Sequence, residues 1–547
     1  MPAAKISATP NVLVLMVDQM RADALGCAGH PVIRTPNLDR IAAEGARFAQ
    51  AYTPVPVCIA ARHSFMTGQR CAVHGRYENN VPEPEPLVYT LPQLLGSAGY
   101  VTRAIGKMHF RPVRRHFGFQ RMELMEEIPD YREDDEYLMY LKANGLGHKR
   151  EVHGVRNLLY HLPQVSAIPE EHHGSAWVAD RTVEFLRAHR ERPFFCWSSW
   201  IAPHPPWNPP EPWASMYDAA AIPDPFNYDR ARETISPYRR HMKEYASMYA
   251  ATPALLRRVR ALYYASISFI DHGIGKILRT LDETGLAANT LVVFTSDHGE
   301  MLGDHGQWQK SVPFEAATHI PMLARLPGRF DAGSVREEPV SLLDLAPTCL
   351  DLAEAKYPGA PALPGASLLG RKGGGLAQAR EELVLEYGRR QSRWLCLRRG
   401  TWKYHYALRD GWEELYDLAS DPREAENRLL GTVSPEHRAR ADAMRRDLEA
   451  WEARHGFADS LDAQGRFLNF HEPAPDPSVR RANGQFPRWV ARLSPAERAE
   501  LEAPGETVLN AIRHETTFRL EEIDLESFKA AGGSLAGTVR QHLLDRL

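Results

Sequence analysis

The chain of 547 residues lacks any long apolar segment of the kind that crosses a membrane. Its longest apolar run near the start covers residues 12–17, whereas a membrane-spanning helix needs about 20 apolar residues. The first residues also lack the basic stretch, apolar core and cleavage site of a signal peptide. We therefore expect a protein that contacts no membrane and resides in the cytoplasm.

Cysteine is sparse, and neither sign of charge is in clear excess. Six cysteines are scattered through the chain without a CxxC pair, which argues against a disulfide framework and a thiolate zinc site. The 66 Lys and Arg residues face 69 Asp and Glu residues, so the net charge is −3. No overall field attracts nucleic acid or anionic lipid. The absence of a fixed-period repeat argues against solenoids and propellers.

Apolar material for a large core is plentiful, since 44% of the residues are hydrophobic. A chain of this length predicts one large domain and at least one smaller domain. Residues 255–286 carry apolar side chains at helical spacing, and Thr35 with Pro36 predicts a capped helix that Gly45 ends. Five apolar runs predict buried strands, at 11–17, 100–105, 193–200, 291–296 and 320–326. Strands that alternate with helices predict an α/β fold, in which a mainly parallel sheet is flanked by helices.

The sequence changes character from about residue 381. Short alternating segments at 383–387, 394–397 and 402–406 predict a small antiparallel sheet, followed by a helix. Three glycines at 373–375 indicate the boundary. These features divide the chain into a large α/β domain at 1–380, a small α+β subdomain at 381–458 and an extended C-terminal arm at 459–547. Amphipathic stretches in the arm favour a role in oligomerisation.

Polar side chains follow several of the predicted strands. Asp18, Lys107, His204 and Asp297 each come just after a strand, and functional groups in open α/β sheets collect at the strands' carboxyl ends. We therefore expect these four side chains to lie near one another.

These strand ends offer ligands for a metal ion. Asp18, Gln19, Asp297 and His298 supply carboxylate, amide and imidazole groups. Oxygen-rich ligation suits a hard ion such as Ca²⁺, Mg²⁺ or Mn²⁺. The sequence therefore predicts a site for one divalent cation.

Positive charge accompanies the predicted metal site. Arg62, Lys107 and Lys310 are suited to stabilise an oxyanion whose charge grows in a transition state. Cys58 precedes Arg62 by four residues, so a helix there places both side chains on one side. A tetrahedral anionic ester is the substrate that such a site favours.

The motifs resemble those of type I sulfatases in the alkaline phosphatase superfamily. They are Cys58-Ile-Ala-Ala-Arg62 followed by Thr67-Gly68, Gly106-Lys-Met-His109, and Ser296-Asp-His-Gly-Glu-Met-Leu-Gly-Asp304. The likeness runs from about residue 11 to residue 353 and resumes in the smaller subdomain at 400–403 and 414–422. Several motifs in the same order are far more specific than any one of them. The resemblance implies an alkaline-phosphatase-like fold.

The resemblance also implies a chemistry and a set of site residues. A maturase would oxidise Cys58 to formylglycine, whose hydrated form attacks the sulfur of a small aryl or alkyl sulfate. The implied metal ligands are Asp18, Gln19, Cys58, Asp297 and His298, with Ca²⁺ as the favoured ion and Mg²⁺ or Mn²⁺ as alternatives. The resemblance implies five catalytic residues. Arg62 and Lys107 orient the nucleophile and hold the oxyanion, and His109 hydrogen-bonds the nucleophile. His204 lies near the leaving group, and Lys310 contacts the sulfate.

Two positions depart from the common family pattern. Gln19 stands where many relatives have a second aspartate, and this lowers the negative charge of the site. Ala60 occupies the third motif position, where common members have proline. Two alternatives therefore stay open, namely an unmodified Cys58 thiolate at the metal and a non-catalytic binding protein.

The most similar branch is the one that contains choline sulfatases and phosphonate monoester hydrolases. The resemblance rests on the pairing of Asp18-Gln19 with Asp297-His298, on Gly106-Lys-Met-His-Phe110 and on His116-Phe-Gly-Phe119, a segment that starts at Gly106. Members of this branch are cytoplasmic, and relatives with similar C-terminal arms form dimers or tetramers. The alternative function is accordingly a phosphonate monoester or phosphodiester hydrolase. The Lys and His of this segment, which phosphonate monoester hydrolases generally lack, favour a sulfatase.

Overall fold

The structure, a computed structural model, describes residues 9–79, 88–154, 156, 160–161, 163–228, 253–369, 380–471 and 488–501. Within these ranges, every helix is too short or too polar to cross a membrane. The glycines at 373–375 and most of the predicted arm lie outside the described residues. The domain boundaries at 380 and 458 stay predictions.

A sheet of eight strands forms the centre of the larger domain. Its strands run in the order β5-β4-β6-β1-β7-β8-β2-β9, and every neighbouring pair is parallel except the two that β8 makes. The strands are β1 (Asn11–Val17), β2 (Ala46–Phe48), β3 (Ala51–Tyr52), β4 (Val101–Gly106), β5 (Arg121–Leu124), β6 (Phe194–Ser199), β7 (Thr290–Ser296), β8 (Met322–Arg325), β9 (Ser334–Arg336) and β10 (Val340–Ser341), of which β3 and β10 pair separately. The predicted mainly parallel α/β sheet is confirmed.

Helices cover both faces of this sheet. They are α1 (Pro36–Glu44), α2 (Cys58–Thr67), α3 (Cys71–His74), α4 (Leu91–Ser97), α5 (Glu136–Ala143), α6 (Gly174–Ala188), α7 (Pro253–Glu283), α8 (Glu315–Thr318) and α9 (Leu345–Leu352). Alternate residues of β1 enter two different hydrophobic clusters. Leu13 and Leu15 pack with α1, α6 and α7, whereas Val12 and Val14 pack with α2, α4 and α9. A strand buried on both faces explains the unbroken apolar run at 11–17.

The helix predicted from Thr35 is present, but its cap differs from the prediction. Thr35 makes no side-chain capping bond. Asp271 of α7 instead accepts hydrogen bonds from the backbone N–H groups of Asn37 and Leu38, at 3.0 and 2.7 Å. The capping group therefore comes from a helix more than two hundred residues away, where no local pattern reveals it.

The C-terminal subdomain is a meander of four antiparallel strands, β11 (Glu382–Tyr387), β12 (Trp394–Arg399), β13 (Trp402–Ala407) and β14 (Trp412–Asp417). The helix α10 (Pro435–His455) packs on it. Two described stretches of the predicted arm lie against the rest of the protein. Phe467 joins the core of the meander, and Trp489, just before α11 (Pro495–Ala499), joins the core beside the large sheet.

Candidate active site

The carboxyl edge of the central sheet brings the predicted site residues together. The register of β1 with β7 pairs Val17 with Ser296, so Asp18 and Asp297 leave neighbouring strands side by side. The Gln19 backbone N–H donates to Asp297 Oδ1 at 3.1 Å. Parallel strand order therefore creates the proximity that the sequence predicted.

Cys58 starts α2 and faces both strand ends. Its Sγ lies 3.1 Å from His298 Nε2 and 3.6 Å from Asp18 Oδ1. Among the described residues, Asp18, Cys58, Asp297 and His298 form a group whose potential ligand atoms all lie within 4.8 Å of one another, and all four residues are buried. His298 Nδ1 donates to the carbonyl of Gly299 at 2.9 Å, which leaves the Nε2 lone pair directed at the group. Two carboxylates, one imidazole and a sulfur that maturation would replace by oxygen fit a divalent cation.

The protonation states follow from burial and neighbouring charge. Burial alone would raise the pKa of Asp18, but the charges of Lys107 and Arg62 hold that pKa well below its usual range. Burial, followed by the charge of Asp18, raises the pKa of the Cys58 thiol to about 12. The protein groups by themselves therefore keep Asp18 ionised and the thiol protonated, which makes unmodified Cys58 a poor nucleophile.

Two buried cations hold the acidic group in place. Arg62 donates from Nε to Asp297 Oδ2 at 2.8 Å and from Nη2 to Asp18 Oδ2 at 3.3 Å. Its Nη1 donates to Ser199 Oγ at 2.9 Å. Lys107 Nζ lies 2.5 Å from Asp18 Oδ2. Because Arg62 is fully buried and bonded along its whole edge, its guanidinium plane is fixed.

Lys310 lies inside the site, although its position in the sequence is typical of a solvated loop lysine. The residue is 8% exposed, and its Nζ contacts both Gln19 Oε1 and His204 Nε2, the latter at 2.9 Å. The Gln19 amide nitrogen donates to Glu300. The amide oxygen of Gln19 therefore contacts Lys310, and direct binding of the cation by Gln19 stays a prediction.

His109 lies at the edge of the same group with positive φ (59°). Its backbone N–H donates to Glu126 Oε1 at 2.9 Å, while its buried Nδ1 has no hydrogen-bond partner among the described residues. Burial, and next the charge of Lys107, hold the pKa of His109 well below its usual range. The structure thus places a neutral imidazole beside Lys107, without a hydrogen bond to Cys58 in the described part of the chain.

Sequence reasoning missed the acidic residues Glu126, Glu127 and Glu300. Glu126 accepts from the backbone N–H groups of Met108 and His109, Glu127 contacts Lys107, and Glu300 contacts Gln19. Glu126 and Glu127 were missed because they follow β5, a strand that is too short and too polar to recognise in the sequence. Once β5 is known, Glu126 and Glu127 follow the rule that led to Asp18.

Comparison with known proteins agrees with this geometry. The model of the family described as Sulfatase matches residues 10–355, and that of the N-sulphoglucosamine sulphohydrolase C-terminal region matches residues 303–453. The chain is 32% identical to an arylsulfatase of Clostridium perfringens, over 80% of this chain and 93% of that protein. It is 30% identical to a choline-sulfatase of Rhizobium meliloti, over 81% and 88% respectively.

Among solved structures, the phosphonate monoester hydrolase of Agrobacterium radiobacter superposes with a TM-score of 0.70 at 24% identity, covering 82% of this chain and 96% of that chain. This likeness shows a shared fold of the alkaline phosphatase type. The match of the Sulfatase model to more than half of the chain, with the arylsulfatase and choline-sulfatase relatives, shows that the chain belongs to the sulfatase family and is a hydrolase that acts on sulfate esters.

Proposed function

We propose that this protein is a sulfatase that hydrolyses a small aryl or alkyl sulfate ester, with residue 58 as formylglycine and one divalent cation beside it. The observation that carries the proposal is the position of Cys58. Its Sγ is fully buried at the start of α2 and lies within 4.8 Å of the ligand atoms of Asp18, Asp297 and His298. The arylsulfatase and choline-sulfatase relatives support a sulfate ester as substrate.

When present, formylglycine supplies a hydrated aldehyde as the nucleophile, and the cation, Ca²⁺ in our proposal, supplies positive charge beside the ester oxygens. Asp18, Asp297, His298 and residue 58 would hold the cation, with Gln19 as a further ligand. Two carboxylates and one neutral imidazole, all of them buried, are ligands that such an ion binds.

The cationic side chains bind and orient the ester. Lys107, Arg62 and Lys310 surround the acidic group and carry donors that are already fixed before substrate arrives. Preorganised donors in a buried site stabilise charge that develops on non-bridging oxygens. Each such donor is worth about 2.7–4 kcal/mol of barrier in enzymes where one has been removed.

We assign the leaving-group side to His204 and Lys310. His204 Nδ1 donates to the carbonyl of Pro205 at 2.7 Å, so its Nε2 carries the lone pair and accepts from Lys310 Nζ. Because Lys310 Nζ donates to both Gln19 Oε1 and His204 Nε2, its third N–H is left for the ester oxygen that leaves. His109, whose Nδ1 has no hydrogen-bond partner within the described part of the chain, is assigned to hydrogen-bond the nucleophile.

The test compares cleavage of 4-nitrophenyl sulfate and a 4-nitrophenyl phosphonate monoester by the same preparation. We expect the higher kcat/KM with the sulfate, and loss of both activities in Cys58→Ala. The peptide that contains residue 58 should be about 18 Da lighter than the same peptide with unmodified cysteine, because maturation exchanges the thiol for an aldehyde. Unmodified cysteine in fully active protein made with its native maturase would overturn the formylglycine proposal.

A phosphonate monoester or phosphodiester hydrolase is the second candidate. The fold likeness to two phosphonate monoester hydrolases favours it, since the same cationic site can hold phosphorus oxygens. A far higher kcat/KM for the phosphonate monoester would reverse our order.

We also propose that the arm from residue 459 assembles the protein into a dimer or tetramer. Trp489 ties the arm to the core of the large domain of its own chain, and the amphipathic stretches of the arm motivate the proposal. Light scattering on the full chain and on a chain that ends at residue 501 tests this proposal. A monomer in both cases would contradict it. The cytoplasmic location stays a prediction.

A further inference from the structure

Glu127 is a carboxylate that lies at the junction of the oxyanion side and the leaving-group side of the site. It comes three residues after β5, and the register pairs Leu124 of β5 with Gly106 of β4. Lys107 and Glu127 therefore leave adjacent parallel strands at the same edge of the sheet. The pairing of the two strands therefore holds the backbone of Glu127 close to that of Lys107.

Both oxygens of Glu127 are engaged by the site. Oε2 accepts from Lys107 Nζ at 2.5 Å. Oε1 lies 2.7 Å from Arg156 Nη1 and 3.3 Å from His204 Nδ1. Although burial raises its pKa, the charges of Lys107 and Arg156 hold the pKa of Glu127 well below its usual range. The side chain is 9% exposed, so these contacts act in a region that water screens poorly.

We propose that Glu127 is a positioning residue, which orients Lys107 and His204 together for the reaction. This inference rests on the proposed function, since it uses the roles assigned there to those two residues. Glu127 touches neither the acidic group nor residue 58 in the contacts above, and it acts through its two neighbours.

The geometry explains what Glu127 contributes at Lys107. An ammonium has three N–H donors, and Asp18 and Glu127 accept two of them. The direction of the third N–H is then fixed, and an ester oxygen that lies in this direction can accept it. In well-oriented sites, a displacement of such a group by about 1 Å lowers the rate roughly 100-fold.

The contribution at His204 is tautomeric. Negative charge 3.3 Å from Nδ1 and the Pro205 carbonyl at 2.7 Å both favour the proton on Nδ1. Nε2 is then fixed as the acceptor that holds Lys310 toward the leaving group. Arg156 Nη1 pairs with the same oxygen, Oε1, at 2.7 Å and adds a second contact that holds the carboxylate in this position.

The experiment compares Glu127→Gln with wild type on two sulfates of different leaving-group quality, 4-nitrophenyl sulfate and phenyl sulfate. Positioning of His204 and Lys310 matters most when the leaving oxygen needs stabilisation. We expect kcat for phenyl sulfate to fall by about 100-fold. The loss of kcat for 4-nitrophenyl sulfate should be several times smaller than this. Glu123→Gln is the matched control, because Glu123 lies on β5 and its carboxylate pairs with Arg121 and Arg103, neither of which is a site residue; it should keep wild-type kcat and KM.

An equal fractional loss with both sulfates would indicate general distortion, and no loss would indicate no role; either result overturns the proposal. If Glu127→Gln does not fold, Glu127→Asp carries the test, since its shorter side chain keeps the charge but cannot reach both neighbours. If wild type prefers phosphonate monoesters, the proposed function fails. The same variants are then compared on 4-nitrophenyl and phenyl phosphonate monoesters, where the leaving-group dependence still decides the role of Glu127.

Discussion

Replacement of Lys107 by methionine tests the electrostatic design of the site, because methionine keeps most of the side-chain volume and removes the charge. The Lys107 ammonium lies 2.5 Å from a carboxylate oxygen of Asp18 and 2.5 Å from one of Glu127. The lysine and Asp18 side chains are fully buried, and that of Glu127 is 9% exposed. The substitution therefore leaves two buried carboxylates with one cation fewer.

Removal of one partner from a buried ion pair costs about 3–5 kcal/mol, since the remaining charge stays out of water without its partner. Arg62 still neutralises part of the charge on Asp18, so we expect the lower end of this range. A divalent cation at Asp18 should restore part of the loss, because it replaces the missing positive charge and binds the folded state alone.

The assay is thermal unfolding of wild type and Lys107→Met, each in a chelator and in excess Ca²⁺. We expect a lower melting temperature for the variant in the chelator, and a larger increase on addition of Ca²⁺ than in wild type. Lys276→Met serves as the control, since Lys276 pairs with Asp180 at the surface and such pairs contribute about 0–1 kcal/mol. Equal melting temperatures of variant and wild type in the chelator would refute the reasoning.

The same variant should lose activity for a separate reason. Removal of one preorganised donor to a developing oxyanion lowers kcat by about 10²–10³. A kcat within threefold of wild type would contradict the role assigned to Lys107, whatever the melting temperature.

Three further predictions follow from other residues. Asp297→Asn should weaken Ca²⁺ binding about tenfold or more, measured by calorimetric titration, and unchanged affinity would argue against Asp297 as a ligand. Burial lowers the pKa of His63 to about 4 from about 6.5 in the unfolded chain, so the stability that neutral His63 confers is present above pH 6.5 and is lost as the pH falls toward 4. His63→Gln should therefore show a shallower loss of stability over that window in denaturant titrations. Asp271→Ala should cost about 1–3 kcal/mol through the lost cap of α1 with kcat unchanged, whereas Asp282→Ala, at an exposed pair, should cost about 0–1 kcal/mol.

The central strands and the acids that follow them could be predicted from the sequence, because a strand buried on both faces must be continuously apolar. The runs at 11–17 and 291–296 became β1 and β7 within one residue, and Asp18 met Asp297 as expected. The direction of β8 could not be predicted, since the composition of the apolar run at 320–326 does not depend on the orientation of the strand.

The remaining features depend on contacts between distant segments. Edge strands such as β5 are short and half polar, so neither period nor composition reveals them, and Glu127 was missed with β5. Lys310 is a predicted site residue through the family resemblance, whereas its local sequence is typical of a solvated loop lysine, and its contacts with Gln19 and His204 depend on the folded chain. Burial of a charged side chain is decided by tertiary contacts that one sequence does not contain.

The central claim is that one divalent cation and the side chain at position 58 share the pocket formed by Asp18, Asp297 and His298. A crystal structure of the protein made with its native maturase, with anomalous data that locate a bound Ca²⁺ or Mn²⁺, measures this directly. The account predicts a single ion within bonding distance of both carboxylates, His298 Nε2 and an oxygen of residue 58. An ion bound elsewhere, or a residue 58 that points away from Asp18 and Asp297, would contradict it.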